Sequence, residues 1–356
     1  MTARILEPSQ ANLDYCQELL QKGQLVALPT ETVYGLAGHA LDGQAVTAIY
    51  ASKHRPTFDP LIVHVAVALD QPRLPQLRHL IDLEQLSLPA LRRAEALLQA
   101  FWPGPLTLVL PRQPQVPELT SGGLSTLAVR MPAHPVALAL LRQSGMPLAA
   151  PSANRFGRIS PTCAADVLAE LGDQIPVILD GGPCAVGVES TVLRVSVDGD
   201  LTLLRFGAIG RAQLAAIAGY PVQLVSSPTM ASPGMLASHY APTKPLTLLD
   251  RPVDSVDLPT LQRLGLPPVT QRIGVLLQSG DAATVQALLS QRTGLEVQAI
   301  SLSANGDAAT IAQHLFAGLR ALDASAAQWL LAEPCNGAQG LEHAIADRLK
   351  RASTRA

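Results

Sequence analysis

Apolar runs of strand length recur along the chain, and in its N-terminal part they end at hydroxyl or basic side chains such as Thr30, Arg130 and Arg205. Strand ends are where α/β proteins bind their ligands. Beyond residue 246, such runs alternate with helical segments, which favours a small parallel sheet. We therefore expect an α/β fold with an N-terminal sheet and a smaller, Rossmann-like C-terminal domain. That domain contains no G-x-G-x-x-G motif, so its fold alone carries no dinucleotide-binding claim.

Hydrophobic periodicity predicts the individual elements. Besides the run that ends at Leu28, strands are predicted at residues 61–67, 106–110, 127–130, 147–150, 177–180, 201–205, 246–249, 272–277, 297–300 and 329–332, and residues 187–192 lead into a further strand. Helices are predicted at residues 9–22, 43–50, 92–101, 135–141, 208–220, 282–291, 308–322 and 341–352. Residues 226–245 are rich in Pro, Ser and Met and lack periodicity, which indicates a linker. Structureless segments of that length are uncommon unless they are functional.

Three short motifs near the N-terminus place chemically useful side chains close together in the sequence. Residues 28–36 are Leu-Pro-Thr-Glu-Thr-Val-Tyr-Gly-Leu, residues 53–56 are Lys-His-Arg-Pro, and residues 60–64 are Pro-Leu-Ile-Val-His. Two hydroxyls, two cations and an imidazole could therefore converge on one anionic ligand. These side chains are Thr30, Thr32, Lys53, Arg55 and His64.

Each of these motifs also has an ordinary structural explanation. A threonine-rich strand end is typical of a turn or a helix cap, and a Lys-x-Arg pair is typical of a solvated surface. A single histidine in an apolar run, such as His64, is typical of an interior residue. Composition favours a function for Lys53, because the chain has only four lysines (Lys22, Lys53, Lys244 and Lys350) and otherwise uses arginine.

Two later features extend the candidate site. Arg130 ends a predicted strand, where its planar guanidinium could bind a carboxylate or phosphate; a surface salt bridge is the alternative. Residues 151–162 form a loop of small and hydroxyl side chains, which suits phosphate binding through backbone N–H groups. In the alternative interpretation, Ser160 or Thr162 caps the helix that starts near Cys163.

Composition limits the class of protein. At 356 residues the chain is long enough for two domains, and a net charge of −2 argues against a surface that binds nucleic acid as a whole. The four cysteines form no C-x-x-C pair, which indicates free thiols in a reducing compartment. No signal peptide and no apolar run approaching the roughly 18 residues of a membrane span is found. We expect a soluble cytoplasmic protein.

The sequence lacks the patterns of several catalytic classes. It contains no Ser-His-Asp order, no H-E-x-x-H, no Walker motif and no nearby carboxylate pair. A protein nucleophile or a metal hydrolase is therefore disfavoured. The remaining chemistry is polyanion binding, with catalysis by positioning and charge neutralisation, as in phosphoryl or nucleotidyl transfer.

The motifs at residues 29–36, 53–56 and 60–64 resemble those of the YrdC-like family. Trp-Pro-Gly-Pro-Leu-Thr at 102–107, Ser-Ala-Asn at 152–154 and Ser-Pro-Thr at 160–162 extend the resemblance, and Ser-His-Tyr-Ala-Pro at 238–242 resembles the linker of its two-domain form. The resemblance implies a YrdC-like catalytic domain with a twisted open sheet at 1–207, a linker and active-site lid at 208–245, and a small α/β domain at 246–356.

The resemblance also implies a reaction. L-threonine, bicarbonate and ATP would give threonylcarbamoyl-AMP and pyrophosphate, which makes the protein a nucleotidyltransferase that uses Mg²⁺ with its ATP. The product would pass to a tRNA threonylcarbamoyl transferase complex, which modifies an adenosine beside the anticodon, and a weak direct contact with tRNA is expected.

Matching the family's motifs to this sequence assigns the site residues. The implied catalytic residues are Lys53 and Arg55. The implied threonine-binding residues are Thr32, His64, Arg130, Ala150 and Ser190. The implied ATP-binding residues are Lys53, Arg55, Asp59, Thr126, Ser152, Ser160, Arg205 and Tyr240, with no protein-held metal. Asp59 stands where the family commonly has Asn, which puts a negative charge near the nucleotide.

Two other functions agree less well with the sequence. A non-catalytic RNA-binding module is disfavoured by the near-neutral net charge and by the added domain. A carbamoyl transferase of hydrogenase maturation would carry acylphosphatase and zinc-finger segments, and the sequence contains neither.

Overall fold

The computed structural model describes residues 2–225, 239–337 and 340–354. The chain packs into two units: Met1–Phe156 with Ser160–Leu236, and Gly157–Ile159 with Ala237–Ala356. The first contains an 11-stranded mixed sheet and the second a four-stranded sheet whose pairs are all parallel. The expected α/β class, with a smaller C-terminal parallel sheet, is confirmed.

The first sheet has the order β1-β8-β2-β3-β7-β4-β6-β5-β9-β10-β11. Its strands are β1 Arg4–Leu6, β2 Val26–Leu28, β3 Gly35–His39, β4 Ile62–His64, β5 Leu106–Pro111, β6 Thr126–Arg130, β7 Leu148–Ala149, β8 Val177–Leu179, β9 Thr191–Val195, β10 Leu201–Arg205 and β11 Val222–Leu224. The helices of this unit are α1 Gln10–Gln21, α2 Gly43–Lys53, α3 Leu88–Phe101, α4 Pro135–Ser144, α5 Ala164–Leu171 and α6 Arg211–Ala218.

Local sequence explains where the helices before the site begin and end. Helix α1 starts at Ser9, whose Oγ accepts from the N–H of Asn12. Helix α2 starts at Asp42 in the same way and ends at His54, which adopts the left-handed conformation with φ 51°. Lys53 is therefore the last residue of α2 and lies on its buried side.

One face of the central strands is covered by a helix and the other carries the polar residues described below. Ala94 and Leu98 of α3 pack in the same core cluster as Leu108 of β5 and Val129 of β6. A second cluster joins α1 and α4 to the strands at the other end of the sheet order. Aliphatic side chains dominate these cores, because aromatic residues are only 3% of the sequence.

The second sheet has the order β12-β15-β13-β14. Its strands are β12 Leu246–Leu248, β13 Arg272–Leu277, β14 Glu296–Ser301 and β15 Trp329–Ala332. The helices are α7 Leu258–Arg263, α8 Ala282–Thr293, α9 Ala308–Ala324 and α10 Leu341–Ser353. All four cysteines are free thiols. Within the described residues, the helices are too short or too polar to cross a lipid bilayer.

Several predicted elements differ from the structure. The strand predicted at 61–67 is limited to β4, and the helix predicted at 92–101 begins earlier, because Ser87 caps α3. Strands β1, β3 and β11 and helix α7 were not predicted. Part of the predicted linker forms α6 and β11, and β11 pairs with β10 in the first sheet. Residues 226–238 lie outside the described residues, so the domain bounds and the lid stay predictions.

Candidate active site

A row of polar residues lies across five neighbouring strands of the first sheet, at the same spatial end of each strand. In sheet order these strands are β4, β6, β5, β9 and β10. In the strand register, His64 of β4 pairs with Arg130 of β6, and Arg130 pairs with Thr107 of β5. Thr107 Oγ1 lies 2.8 Å from the Oγ of Ser190, which immediately precedes β9. Ser190 Oγ accepts a 3.0 Å hydrogen bond from Nη2 of Arg205, at the end of β10. These five residues, which we call the polar row, are all buried.

The same sheet face continues with an apolar surface. Residues two positions apart on a strand share a face, so the next residues inward from the polar row point the same way. On these strands they include Ile62, Val109, Ala128 and Val192, which form one small cluster with Leu204. The polar row therefore borders an apolar strip on a single sheet face.

Arg130 makes three side-chain contacts in the polar row and beside it. Its Nη1 donates to Thr32 Oγ1 at 2.8 Å, its Nε donates to the carbonyl of Gly104 at 3.2 Å, and its Nη2 lies 2.7 Å from Glu31 Oε1. Thr30 Oγ1 in turn lies 2.9 Å from Thr32 Oγ1. A surface salt bridge, the alternative for Arg130, is wrong, because the Arg130 and Glu31 side chains are only 4% and 10% exposed.

The contact between Arg130 and Glu31 is an ion pair without hydrogen-bond geometry. Nη2 of Arg130 and Oε1 of Glu31 have no hydrogen-bond partner in the described part of the chain. The other carboxylate oxygen of Glu31 accepts from the N–H of Ala133 at 3.1 Å. Nη2 of Arg130 is therefore held to Glu31 by charge, and an anionic ligand can compete with Glu31 for it.

His64 has the surroundings of an interior histidine. Its Nδ1 lies 3.3 Å from the carbonyl oxygen of Ile62. Burial and the neighbouring Arg130 guanidinium lower the pKa of His64 to about 3. The imidazole is therefore neutral at pH 7, where it can offer a hydrogen bond but not a charge.

Lys53 is buried beside the loop at 151–162. Its Nζ donates to the carbonyl oxygens of Ser152 and Asn154, both at 2.5 Å. Burial, and secondly the positive charge of Arg55, hold the pKa of Lys53 well below its usual range. A solvated Lys-x-Arg surface is therefore wrong for this pair, since Arg55 is buried as well.

Arg55 and Asp59 form a second buried ion pair. Arg55 Nη2 lies 2.9 Å from Asp59 Oδ2, and its Nε donates to the backbone carbonyl of Asp59 at 3.1 Å. Burial raises the pKa of Asp59, while the charges of Arg55, Lys53 and Arg205 oppose that effect. Asp59 thus lies among three cations, two of them from outside the polar row.

Ser160 is buried in the second half of the same loop. Its Oγ donates to Glu189 Oε1 at 2.6 Å. The alternative in which Ser160 or Thr162 caps the next helix is wrong, because α5 has Cys163 at its N-cap position. The N–H groups of Thr162 and Cys163 instead donate to Asp166 Oδ2. Glu189 therefore joins this loop to Ser190 and the polar row.

The remaining predicted residues are placed differently. Ala150 is buried, and its N–H donates at 3.0 Å to the Ile62 carbonyl, the same carbonyl that His64 Nδ1 contacts. Thr126 lies at the other end of β6, about 13 Å from Arg130 at 3.3 Å per residue. Tyr240 belongs to the second unit, where it is buried with its ring 5.4 Å from that of Phe316.

Three residues of the site were not identified from the sequence. These residues are Glu31, Thr107 and Glu189. Asp59, which like Glu31 pairs with an arginine, was predicted as a site residue. Their motifs gave a signal, since Glu31 lies between two threonines and Glu189 directly precedes Ser190. The expectation of an anionic ligand points to hydroxyls and cations. It does not point to the carboxylates that balance buried cations.

A metal ion held by the protein would need several ligand side chains close together. Among the residues that the structure describes, no group of three or more His, Cys, Asp or Glu side chains could hold a metal ion. The two carboxylates nearest the cations, Glu31 and Asp59, are already in ion pairs.

Fold and site together define an α/β protein with a buried, cation-rich cluster at one end of a mixed sheet. The Sua5_yciO_yrdC family model, described as Telomere recombination, matches residues 18–207. The Sua5_C model, described as Threonylcarbamoyl-AMP synthase, C-terminal domain, matches residues 209–354. The chain belongs to the threonylcarbamoyl-AMP synthase family in its two-domain form.

Individual relatives match along most of their length. Threonylcarbamoyl-AMP synthase of Bacillus subtilis is 39% identical over 344 residues, covering 94% of this chain and 91% of the relative. The protein of the same name from Pyrococcus abyssi is 38% identical, covering 94% and 92%. The crystal structure of P. abyssi Sua5 complexed with L-threonine matches with a TM-score of 0.82 at 34% identity, covering 99% of this chain and 98% of that one.

Proposed function

We propose that this chain is an ATP-dependent nucleotidyltransferase that converts L-threonine, bicarbonate and ATP into threonylcarbamoyl-AMP and pyrophosphate. The full-length relatives carry the name of this activity, and the related P. abyssi structure is complexed with L-threonine. The observation that carries the proposal is the polar row, since it places Arg130 and Arg205 at two strand ends with the hydroxyls of Thr107 and Ser190 between them. Such a row suits a substrate with several anionic oxygens.

In this proposal the threonine side of the site is Arg130 with its neighbours. A guanidinium has five N–H donors, and Nη2 of Arg130 is held to Glu31 by charge without a hydrogen bond to the described residues, so the threonine carboxylate can compete for it. Thr32, Ser190 and the neutral His64 offer hydrogen bonds around it. Ala150, beside His64, contributes a small side chain that leaves space.

Lys53, Arg55 and Arg205 form the phosphate side. Their charges surround Asp59, so a polyphosphate there would compete with that carboxylate for the same cations. Ser152 and Ser160 belong to the loop at 151–162, which lies beside Lys53. Thr126, at the far end of β6, suits the other end of an extended nucleotide; the roles of Thr126 and Tyr240 rest on the family resemblance.

The reaction needs no nucleophile from the protein. The threonine amine and bicarbonate give a carbamate and water. A carbamate oxygen then forms a bond to the α-phosphorus of ATP, and the bond from that phosphorus to the oxygen bridging to the β-phosphate breaks, releasing pyrophosphate. Lys53 and Arg55 would act by holding the phosphates in line and by stabilising charge in a buried site.

Magnesium enters this proposal with the nucleotide. Mg²⁺ binds phosphate oxygens and keeps several waters, so it needs few protein ligands, and it supplies charge neutralisation when bound. The ion-paired Glu31 and Asp59 suit that arrangement better than direct coordination. We further propose a cytoplasmic setting, transfer of the product to a tRNA threonylcarbamoyl transferase complex, and at most a weak direct contact with tRNA.

Pyrophosphate release from MgATP tests the proposal. We expect release that requires both L-threonine and bicarbonate, with L-serine a poorer substrate. Omission of either threonine or bicarbonate is the matched control. Release that is indifferent to threonine, or none from folded protein, would contradict the proposed function.

A further inference from the structure

Three residues from the middle of the loop at 151–162 pack in the second unit. These residues, Gly157–Ile159, are clustered with Ala237–Ala356. Within that unit, the carbonyl of Gly157 accepts a 2.8 Å hydrogen bond from the N–H of Ala241, and the carbonyl of Ile159 accepts one from Nη2 of Arg320. The segment is therefore held through its backbone carbonyls.

Asp323 is the centre of this contact. Its Oδ2 lies 3.5 Å from Arg158 Nη2. The same carboxylate accepts from the N–H and Oγ1 of Thr243, at 3.0 and 2.7 Å, and from the N–H of Lys244 at 3.0 Å. With a side chain only 9% exposed, Asp323 connects three segments that are distant in sequence. Hydrogen bonds to a charged acceptor of this kind are the strong ones.

The position of Asp323 within its helix supports a specific role. Asp323 lies in the last turn of α9, where the helix dipole disfavours a negative charge. At the other end of the same helix, Asp307 occupies the N-cap, where an acidic residue stabilises the helix. The requirements of α9 alone therefore explain Asp307 but not Asp323.

The held segment lies between two groups of residues that the proposed function assigns to ATP. Before it, the carbonyls of Ser152 and Asn154 accept from Lys53. After it, Ser160 donates to Glu189. Because only a few residues of about 3.5 Å each separate the held segment from these groups, fixing Gly157–Ile159 restricts where both can lie.

We propose that Asp323 and Arg320 are positioning residues for the nucleotide-binding loop, acting on its middle segment, Gly157–Ile159. The inference rests on the proposed function, because the loop matters only if Lys53 and Ser160 bind ATP. Neither residue is proposed to touch the substrate. Their effect is transmitted through the backbone of Gly157–Ile159.

The test compares variants at the two ends of α9. For Asp323→Ala we expect KM for ATP to rise about ten-fold, with KM for threonine changed far less, since a charged hydrogen-bonded contact is lost. Asp323→Asn keeps an acceptor for Thr243 and should recover part of the effect. Asp307→Ala removes a cap from the same helix without touching the loop, so it should lower the melting temperature and leave both KM values unchanged.

A binding measurement separates this inference from the proposed function. ATP affinity is measured by calorimetry without threonine, in parallel with threonine-dependent pyrophosphate release by the wild type. An active wild type with an Asp323→Ala variant of unchanged ATP affinity and KM would overturn the inference alone. If Asp323→Ala does not fold, its partly exposed partner Arg158 is replaced instead. Arg158→Ala must then weaken ATP binding for the inference to stand.

Discussion

The two sheets of this protein use carboxylates in opposite ways at their strand ends. In the second sheet, Glu333 directly follows β15 and accepts from the N–H of Gln278, after β13, at 3.0 Å, and from the N–H of Val253 at 3.1 Å. The crevice between neighbouring strands of a parallel sheet is where such folds bind ligands. Here a side chain of the protein itself is bonded at that position.

In the first unit, two of the carboxylates pair with arginine side chains instead. Glu31 contacts Arg130, and Asp59 contacts Arg55, in both cases without hydrogen-bond geometry. An anionic ligand can therefore compete for the arginines, while Glu31 keeps the hydrogen bond from the N–H of Ala133 through its other oxygen. Both carboxylate oxygens of Glu333, in contrast, accept from backbone N–H groups, so its displacement would leave two of them unpaired. This difference favours the first sheet as the one that binds the ligand, although both sheets belong to α/β units.

The largest expected effect comes from removing the central arginine. Arg130→Ala should lower the free energy of unfolding by about 3–5 kcal/mol, because it leaves Glu31 buried without its partner. The double variant with Glu31→Gln should recover a substantial part of that loss. Denaturant unfolding measures both. A loss below about 1 kcal/mol, the value of an exposed pair, would show that the ion pair is not effectively buried.

The next effect concerns nucleotide affinity. Lys53→Met keeps the length of the side chain but removes the ammonium, so ATP binding should weaken by about 1.5–3 kcal/mol, or roughly ten- to a hundred-fold. Lys22→Met is the matched control, since Lys22 is an exposed lysine at the end of α1. Equal ATP affinity in both variants, measured by calorimetry, would remove Lys53 from the site.

The buried histidine should make stability depend on pH. The pKa of His64 is about 3 in the folded protein and about 6.5 when unfolded, so between these values the unfolded chain binds a proton that the folded chain does not. The free energy of unfolding should therefore fall as the pH is lowered, by roughly 1.4 kcal/mol per pH unit from this residue.

The variant His64→Asn isolates that contribution. Its unfolding free energy should fall less steeply than that of the wild type between about pH 6 and pH 4. Replacement of the exposed His79 by Asn provides the control. Parallel slopes for wild type and His64→Asn would contradict a neutral, desolvated His64.

The smallest effect is expected in the second sheet. Glu333→Gln keeps the shape but weakens two charge-assisted hydrogen bonds, which should cost about 1–2 kcal/mol of stability. Both KM values should stay at the wild-type level, because the crevice that Glu333 occupies is not a substrate site. A change in either KM without a loss of stability would break the contrast between the two sheets.

Local patterns predicted the elements that are regular in sequence. Strands β10, β13 and β15 have the predicted bounds, since each is an apolar run with clear limits. Strand β3 was missed because its sequence, Gly-Leu-Ala-Gly-His, contains two glycines and resembles a loop. Glycine fits there because a Cβ on Gly38 would lie 2.9 Å from a side-chain carbon of Leu25.

The sequence motifs selected residues that are buried, but they did not indicate the partners of those residues. Thr32, Lys53 and Arg130 are all buried, and Arg130 donates to Thr32 Oγ1. The roles of these residues in binding stay predictions. Their partners could not be predicted, because Glu31 and Arg130 are 99 positions apart and meet only through the order of the strands. Burial itself, which sets the pKa shifts, is likewise a property of the tertiary structure.

The most direct test of the central claim follows the carbon of bicarbonate. The protein is incubated with MgATP, L-threonine and carbon-13-labelled bicarbonate, and the nucleotide products are analysed by mass spectrometry. We expect an AMP conjugate that contains threonine and carries the label, formed only when all three substrates are present. Pyrophosphate release accompanied by unlabelled AMP alone would contradict the account.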